Sequence, residues 1–111
     1  MSPKFGFCRR YYVFYSTLAL TKNTPASKLL LTLKANENVV RDMSKAHFYI
    51  YNNSNYKLQT FRDRAKLLTS HLFRSSGDNT VIVISDIFDS QDRMVCRTKF
   101  HIYVDVSEYE F

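Results

Sequence analysis

The chain has 111 residues, 45% hydrophobic and 15% aromatic, which supplies one compact domain with a modest core and not two. With two glycines and two prolines it has no material for a Gly-rich phosphate loop, a collagen-like repeat or a low-complexity linker. The net charge of +6 is unevenly spread: residues 1–36 hold six basic residues and no acid, residues 37–80 seven basic against four acidic, and residues 81–111 three basic against six acidic. That polarity suits attraction of a polyanion at one end or head-to-tail self-association, unless the signs mix on the folded surface.

Residues 1–8 are expected to be a flexible basic segment of a single domain covering 1–111. The stretch RRYYVFYSTLAL that follows, residues 9–20, has the basic and apolar regions of a signal peptide. Four of its first five post-arginine residues are Tyr or Phe, however, Ser16 and Thr17 interrupt it, and no A-x-A cleavage site follows. Ten apolar residues do not span a membrane. Aromatic and β-branched side chains fit a pleated surface, so a strand is expected, with Tyr11, Val13, Tyr15, Thr17 and Ala19 on one face and Tyr12, Phe14, Ser16, Leu18 and Leu20 on the other.

In NTPASKLLLTLKAN, Thr24 and Pro25 are suited to the cap and first position of a short helix running to Ala35, with Asn36 as its stop. Leu29, Leu31 and Leu33 also fit strand alternation. An extended run at 38–43 precedes a strand at 46–51, where Phe48 and Ile50 oppose His47, Tyr49 and Tyr51. The Asn52–Asn55 cluster marks a turn; its sequon at Asn52 is too short a pattern to assign a compartment. Leu58, Phe61, Ala65, Leu68 and Leu72 recur at three and four residues, predicting an amphipathic helix. Lys57, Arg62, Arg64 and Lys66 against Asp63 form its solvated side.

TVIVISDIF at 80–88 has the continuous apolar character of a central strand. After a hairpin at 89–92, residues 93–106 alternate strictly, with Met94, Cys96, Thr98, Phe100, Ile102, Val104 and Val106 inward and Arg93, Val95, Arg97, Lys99, His101, Tyr103 and Asp105 outward. That length calls for a bend or bulge. The predicted architecture is α+β, an antiparallel sheet with two helices on one face in the ferredoxin-like order β-α-β-β-α-β-β. The alternative is a cone-shaped sheet curved around helices, as in nuclear-transport-factor-like folds.

Cys8 and Cys96 are far apart, with neither a C-x-x-C pair nor a histidine at ligand spacing, so no zinc site and no disulfide are expected. The corresponding location is intracellular, cytoplasmic or nuclear. Asp86, Asp89 and Asp92 fall at intervals of three, a spacing that a hard cation and ordinary turn chemistry share. His47, His71 and His101 have no recognisable nucleophile, so no enzyme, cofactor or metal is expected.

The functional expectation rests on one sheet face. Arg9, Arg10, Tyr11, Tyr15, His47, Tyr49, Tyr51, Arg97, Lys99, His101 and Tyr103 would combine rings that stack on bases with cations that neutralise phosphates, as a module for single-stranded RNA or DNA requires. HFYIYN does not meet the aromatic pattern of RNA-recognition motifs, lacking its glycines and leading basic residue. The order RRYYVFYS, AHFYIY, LQTFRDRAKLL partly resembles rolling-circle replication initiators, but Tyr49 stands where their His or Gln belongs and no Tyr-x-x-Lys helix follows. The alternative function is an accessory subunit that self-associates or docks a protein through the same face, since tyrosine is equally suited to protein interfaces.

Overall fold

The computed structural model describes residues 11–35, 45–51, 53–88 and 91–108. Arg9, Arg10, the 38–43 run, the sequon asparagine Asn52 and Asp89 lie outside them. The described residues form seven strands and no helix: β1 (Tyr11–Thr21), β2 (Leu29–Lys34), β3 (Lys45–Tyr51), β4 (Tyr56–Thr60), β5 (Arg64–Thr69), β6 (Gly77–Phe88) and β7 (Met94–Ser107). They build a four-stranded sheet ordered β1-β7-β6-β3 and a three-stranded sheet ordered β2-β5-β4. All pairs are antiparallel except β1 with β7. With strands lettered A to G, this is the B-E-D and C-F-G order of an immunoglobulin-type sandwich, with its first strand laid parallel to its last.

The α+β expectation, in both its ferredoxin-like and its cone-shaped form, is therefore overturned. The residues that pointed to a second helix form β4 and β5, joined by a tight turn in which the Phe61 N–H donates to the Arg64 carbonyl at 2.8 Å. In β5, Ala65, Leu67 and Thr69 are buried and alternate with more exposed neighbours, which is period two. Of the helical stripe only Ala65 is buried, and Phe61 and Leu72 are exposed. Three-and-four spacing arose by chance where two short strands meet at a turn. Tertiary pairing then overrode a helix that local spacing alone permits.

The first expected helix is β2. Leu31, Thr32, Leu33 and Lys34 pair with Leu67, Lys66, Ala65 and Arg64 of β5, with an irregularity between Leu29 and Leu31. Thr24 caps nothing helical; its hydroxyl donates to the Thr21 carbonyl at 2.6 Å. The chain crosses here from one sheet to the other, and Thr69 holds the crossing. Its fully buried hydroxyl donates to the Pro25 carbonyl at 2.6 Å and accepts the Lys28 N–H at 3.0 Å.

The core lies between the sheets: Phe48, Val81, Val83, Ile87, Ile102, Val104 and Leu20 from one, Leu33, Tyr56, Ala65 and Leu67 from the other. Tyr56 keeps its hydroxyl satisfied by donating to Asn79 Oδ1 at 2.6 Å, and its ring meets Phe73 edge-on at 5.7 Å. The bulge required by the length of β7 falls at its start, where Ile87 pairs with Cys96 but Phe88 with Met94. Met94, placed inward by alternation, is consequently exposed. Cys96 is buried and disulfide-bonded, correcting the free-thiol reading; the sequence has one other cysteine, Cys8.

Candidate functional site

The four-stranded sheet turns its inner face to the core, and among the described residues no further layer covers its outer face. Register places the expected residues on that outer face in successive rows. Arg97, Asp86 and His47 form one row across β7, β6 and β3, with the Tyr11 backbone paired beside Arg97; Val13, Lys99, Ile84 and Tyr49 form the next; Tyr15, His101, Ile82 and Tyr51 the third. Thr17, Tyr103 and Thr80 follow, then Ala19, Asp105 and Asp78. Tyr15, His47, Tyr49, Tyr51, Arg97, Lys99, His101 and Tyr103 of the sequence-derived set are thus brought to one surface.

That surface is aromatic and open. Tyr15 is 79% exposed, Tyr51 60%, Tyr103 42% and Tyr49 40%. The Tyr15 and His101 rings lie 5.2 Å apart. Tyr15, Thr17, Thr80, His101 and Tyr103 border a groove of about 430 Å³.

Its electrostatics differ from the expectation of a cationic platform. Among the described residues, Arg97 and Lys99 share the face with Asp78, Asp86 and Asp105. Arg97 grips Asp86 in a two-pronged contact, Nε to Oδ1 at 2.7 Å and Nη2 to Oδ2 at 3.0 Å, and the Tyr49 hydroxyl donates to the same carboxylate at 3.2 Å. Removal from water, followed by the negative charge of Asp86, pushes the Tyr49 phenol above its ordinary pKa. At the other end, Asp78 and Asp105 are direct cross-strand neighbours. The hydrogen bond between them, then partial desolvation and the charge of Asp78, raise the Asp105 carboxyl above the usual carboxylate value. Tyr103 is raised mainly by its hydrogen bond to Asp78.

Arg97 and Lys99, the described cations of the sequence-derived set, stand on this face, and a second basic group lies elsewhere. Lys34, Lys57, Arg64 and Lys66 belong to β2, β4 and β5 of the other sheet, where Arg64 and Lys66 lie 5.0 and 5.6 Å from the Phe61 ring centre. Arg97, Lys99 and the rings thus share one surface with three carboxylates, while a second group of basic residues stands on the other sheet.

Sequence reasoning missed Ile82, Ile84, Asp78 and Asp86 as members of this face. The alternation of Ile82, Ile84 and Asp86 was available, but the continuous apolar run concealed which side looked outward. Asp86 is committed to Arg97 and Tyr49, and among the described residues no group of three His, Cys, Asp or Glu side chains converges to hold a metal. The His71 ring nitrogens lie 2.9 Å from the Leu72 carbonyl and from Asn55 Oδ1, in a loop after β5. Among the described residues no helix is long and apolar enough to cross a membrane. No protein-family model matches the chain, and no curated protein matches it in sequence.

Proposed function

We propose that this protein is a non-catalytic interaction module that docks a protein through the outer face of its four-stranded sheet, in an oxidising compartment. One observation carries the reading: four half-exposed to exposed tyrosines, with Val13, Ile82 and His101 between them and the Arg97–Asp86 ion pair at one end, form a contiguous surface. Contiguous exposed apolar area of this kind marks association surfaces. Tyrosine suits it because a rigid ring buries area with few rotamers while its hydroxyl stays paired. The Cys96 disulfide favours an oxidising compartment over the cytosol, because cytosolic thiols are held reduced.

The test is a comparison of two double variants in cells that make the protein, followed by cross-linking in place. Tyr15→Ser with Tyr51→Ser is expected to abolish cross-linked protein species, and Lys57→Ser with Arg64→Ser on the opposite sheet to retain them. The reverse pattern assigns docking to the basic sheet and overturns the proposal.

A further inference from the structure

We infer that the occupant of this face is a second copy of the same chain, related by a twofold axis lying in the interface; the inference rests on the docking reading above. The ground for it is that the face is complementary to itself. Along β7 the outward residues run Arg97, Lys99, His101, Tyr103 and Asp105, with cations at one end, rings in the middle and a carboxylate at the other. Asp78, opposite Asp105 on β6, doubles the negative end.

An axis perpendicular to the strands and passing between His101 and Tyr103 lays each strand over its own copy in the opposite direction. Position 99 then falls on position 105 and position 101 on position 103. Lys99 of each copy meets the Asp105 and Asp78 pair of the other, and this happens twice. The two rings at the axis meet their counterparts over the groove bordered by Tyr15, Thr17, His101 and Tyr103. An unrelated partner would have to reproduce this polarity, which the chain's own surface already supplies in the reversed direction that a closed dimer uses.

About this axis β1, β7 and β6 overlap their counterparts, whereas β3 is confined to the half alongside Met94–His101 and does not. Three strands at about 4.8 Å and eight residue steps at about 3.4 Å give a patch on the order of 400 Å² per copy, so a dimer buries on the order of 800 Å². That lies below the standard size of specific interfaces and corresponds to weak, reversible association. The two cross-strand carboxylates, which repel each other in the monomer, also gain a neutralising partner on association.

The experiment combines sedimentation of full-length charge-reversal variants with a zero-length carbodiimide cross-link on the parent protein. Lys99→Asp and Asp105→Lys are each expected to weaken dimerisation at least tenfold. An equimolar mixture of the two is expected to associate again, because the reversed charges match between different chains. In the parent, a covalent Lys99 to Asp105 amide is expected by mass spectrometry. Six residues along one strand separate this pair by about 20 Å, so the link forms only between copies, and it keeps the inference testable if a reversal variant fails to fold. A parent protein monomeric at every concentration, with no such link, overturns the second copy as occupant while leaving the face open to a different protein. A dimer indifferent both to charge reversal and to Tyr15→Ser with Tyr51→Ser overturns the inference and the docking reading together.

Discussion

At the scale of single residues, two side chains sit where their chemistry is under strain of an electrostatic kind. Ser85 lies inward on β6, almost fully buried, and its hydroxyl has no hydrogen-bond partner among the described residues. A buried unpaired hydroxyl carries a desolvation penalty of about 1–3 kcal/mol. Ser85→Ala is therefore expected to stabilise the fold by about 1 kcal/mol, measured as a shift in the urea midpoint with unchanged slope. Asp105 is the second. It faces Asp78 on β6, Tyr103 on its own strand and Ala19 on β1, and its carboxyl pKa is raised by the hydrogen bond to Asp78. A raised acid holds its proton more tightly in the folded than in the unfolded chain, so its contribution to stability is present at low pH and is lost as pH rises through the folded pKa. Asp105→Asn is expected to melt above the parent near neutral pH and to lose that advantage below the ordinary carboxylate range; an advantage independent of pH would show that the two carboxylates do not interact.

At the scale of elements, the decisive comparison is between Leu67 and Leu68. A helix with the stripe Leu58, Phe61, Ala65, Leu68 and Leu72 would bury Leu68, whereas β5 buries Leu67 completely and leaves Leu68 on the half-covered side. Leu67→Ala is expected to cost about 2–5 kcal/mol through lost contact and an unfilled cavity. Leu68→Ala is expected to cost less than half as much, and chemical denaturation of the two variants decides the matter. Equal losses would mean that the sheet's outer side is covered as well. The same period-two logic explains why β2 stayed a strand: Leu33 enters the core between Ala65 and Leu67 only from an extended backbone.

At the scale of the whole molecule, a small sandwich closes its two sheets with few layers of side chains, so a covalent tie weighs heavily. Reduction of the Cys96 disulfide, or Cys96→Ala, is expected to lower stability by about 2–5 kcal/mol, because the unfolded chain regains the freedom the bond removes. A thermal melt unaffected by reductant would contradict this. The organisation of surface is also a whole-molecule property. Residues 9–20 and 45–51 are far apart in sequence, yet Tyr15 and Tyr51 end in one row because β7 and β6 lie between them. The basic cluster near residue 60 was close to the aromatic strand in sequence and ended on the opposite sheet.

Local chemistry alone specified a good part of this protein. The strand character of β1, β3, β6 and β7 and the facing of His47, Tyr49, Tyr51, Lys99, His101 and Tyr103 follow from alternation, because side chains on a pleated backbone repeat every two residues wherever the strand is placed. Three matters were decided only by tertiary structure. Whether Leu29–Lys34 and Tyr56–Thr69 became helix or strand depended on partners distant in the chain, since short apolar runs satisfy both periods until an edge is offered for pairing. The tie at Cys96 depended on folding, because spacing does not say which positions approach. The character of the outer face depended on sheet order: register set Asp86 against Arg97 and Asp78 against Asp105, turning a set of residues that is cationic when summed along the chain into a surface of rings framed by charges of opposite sign.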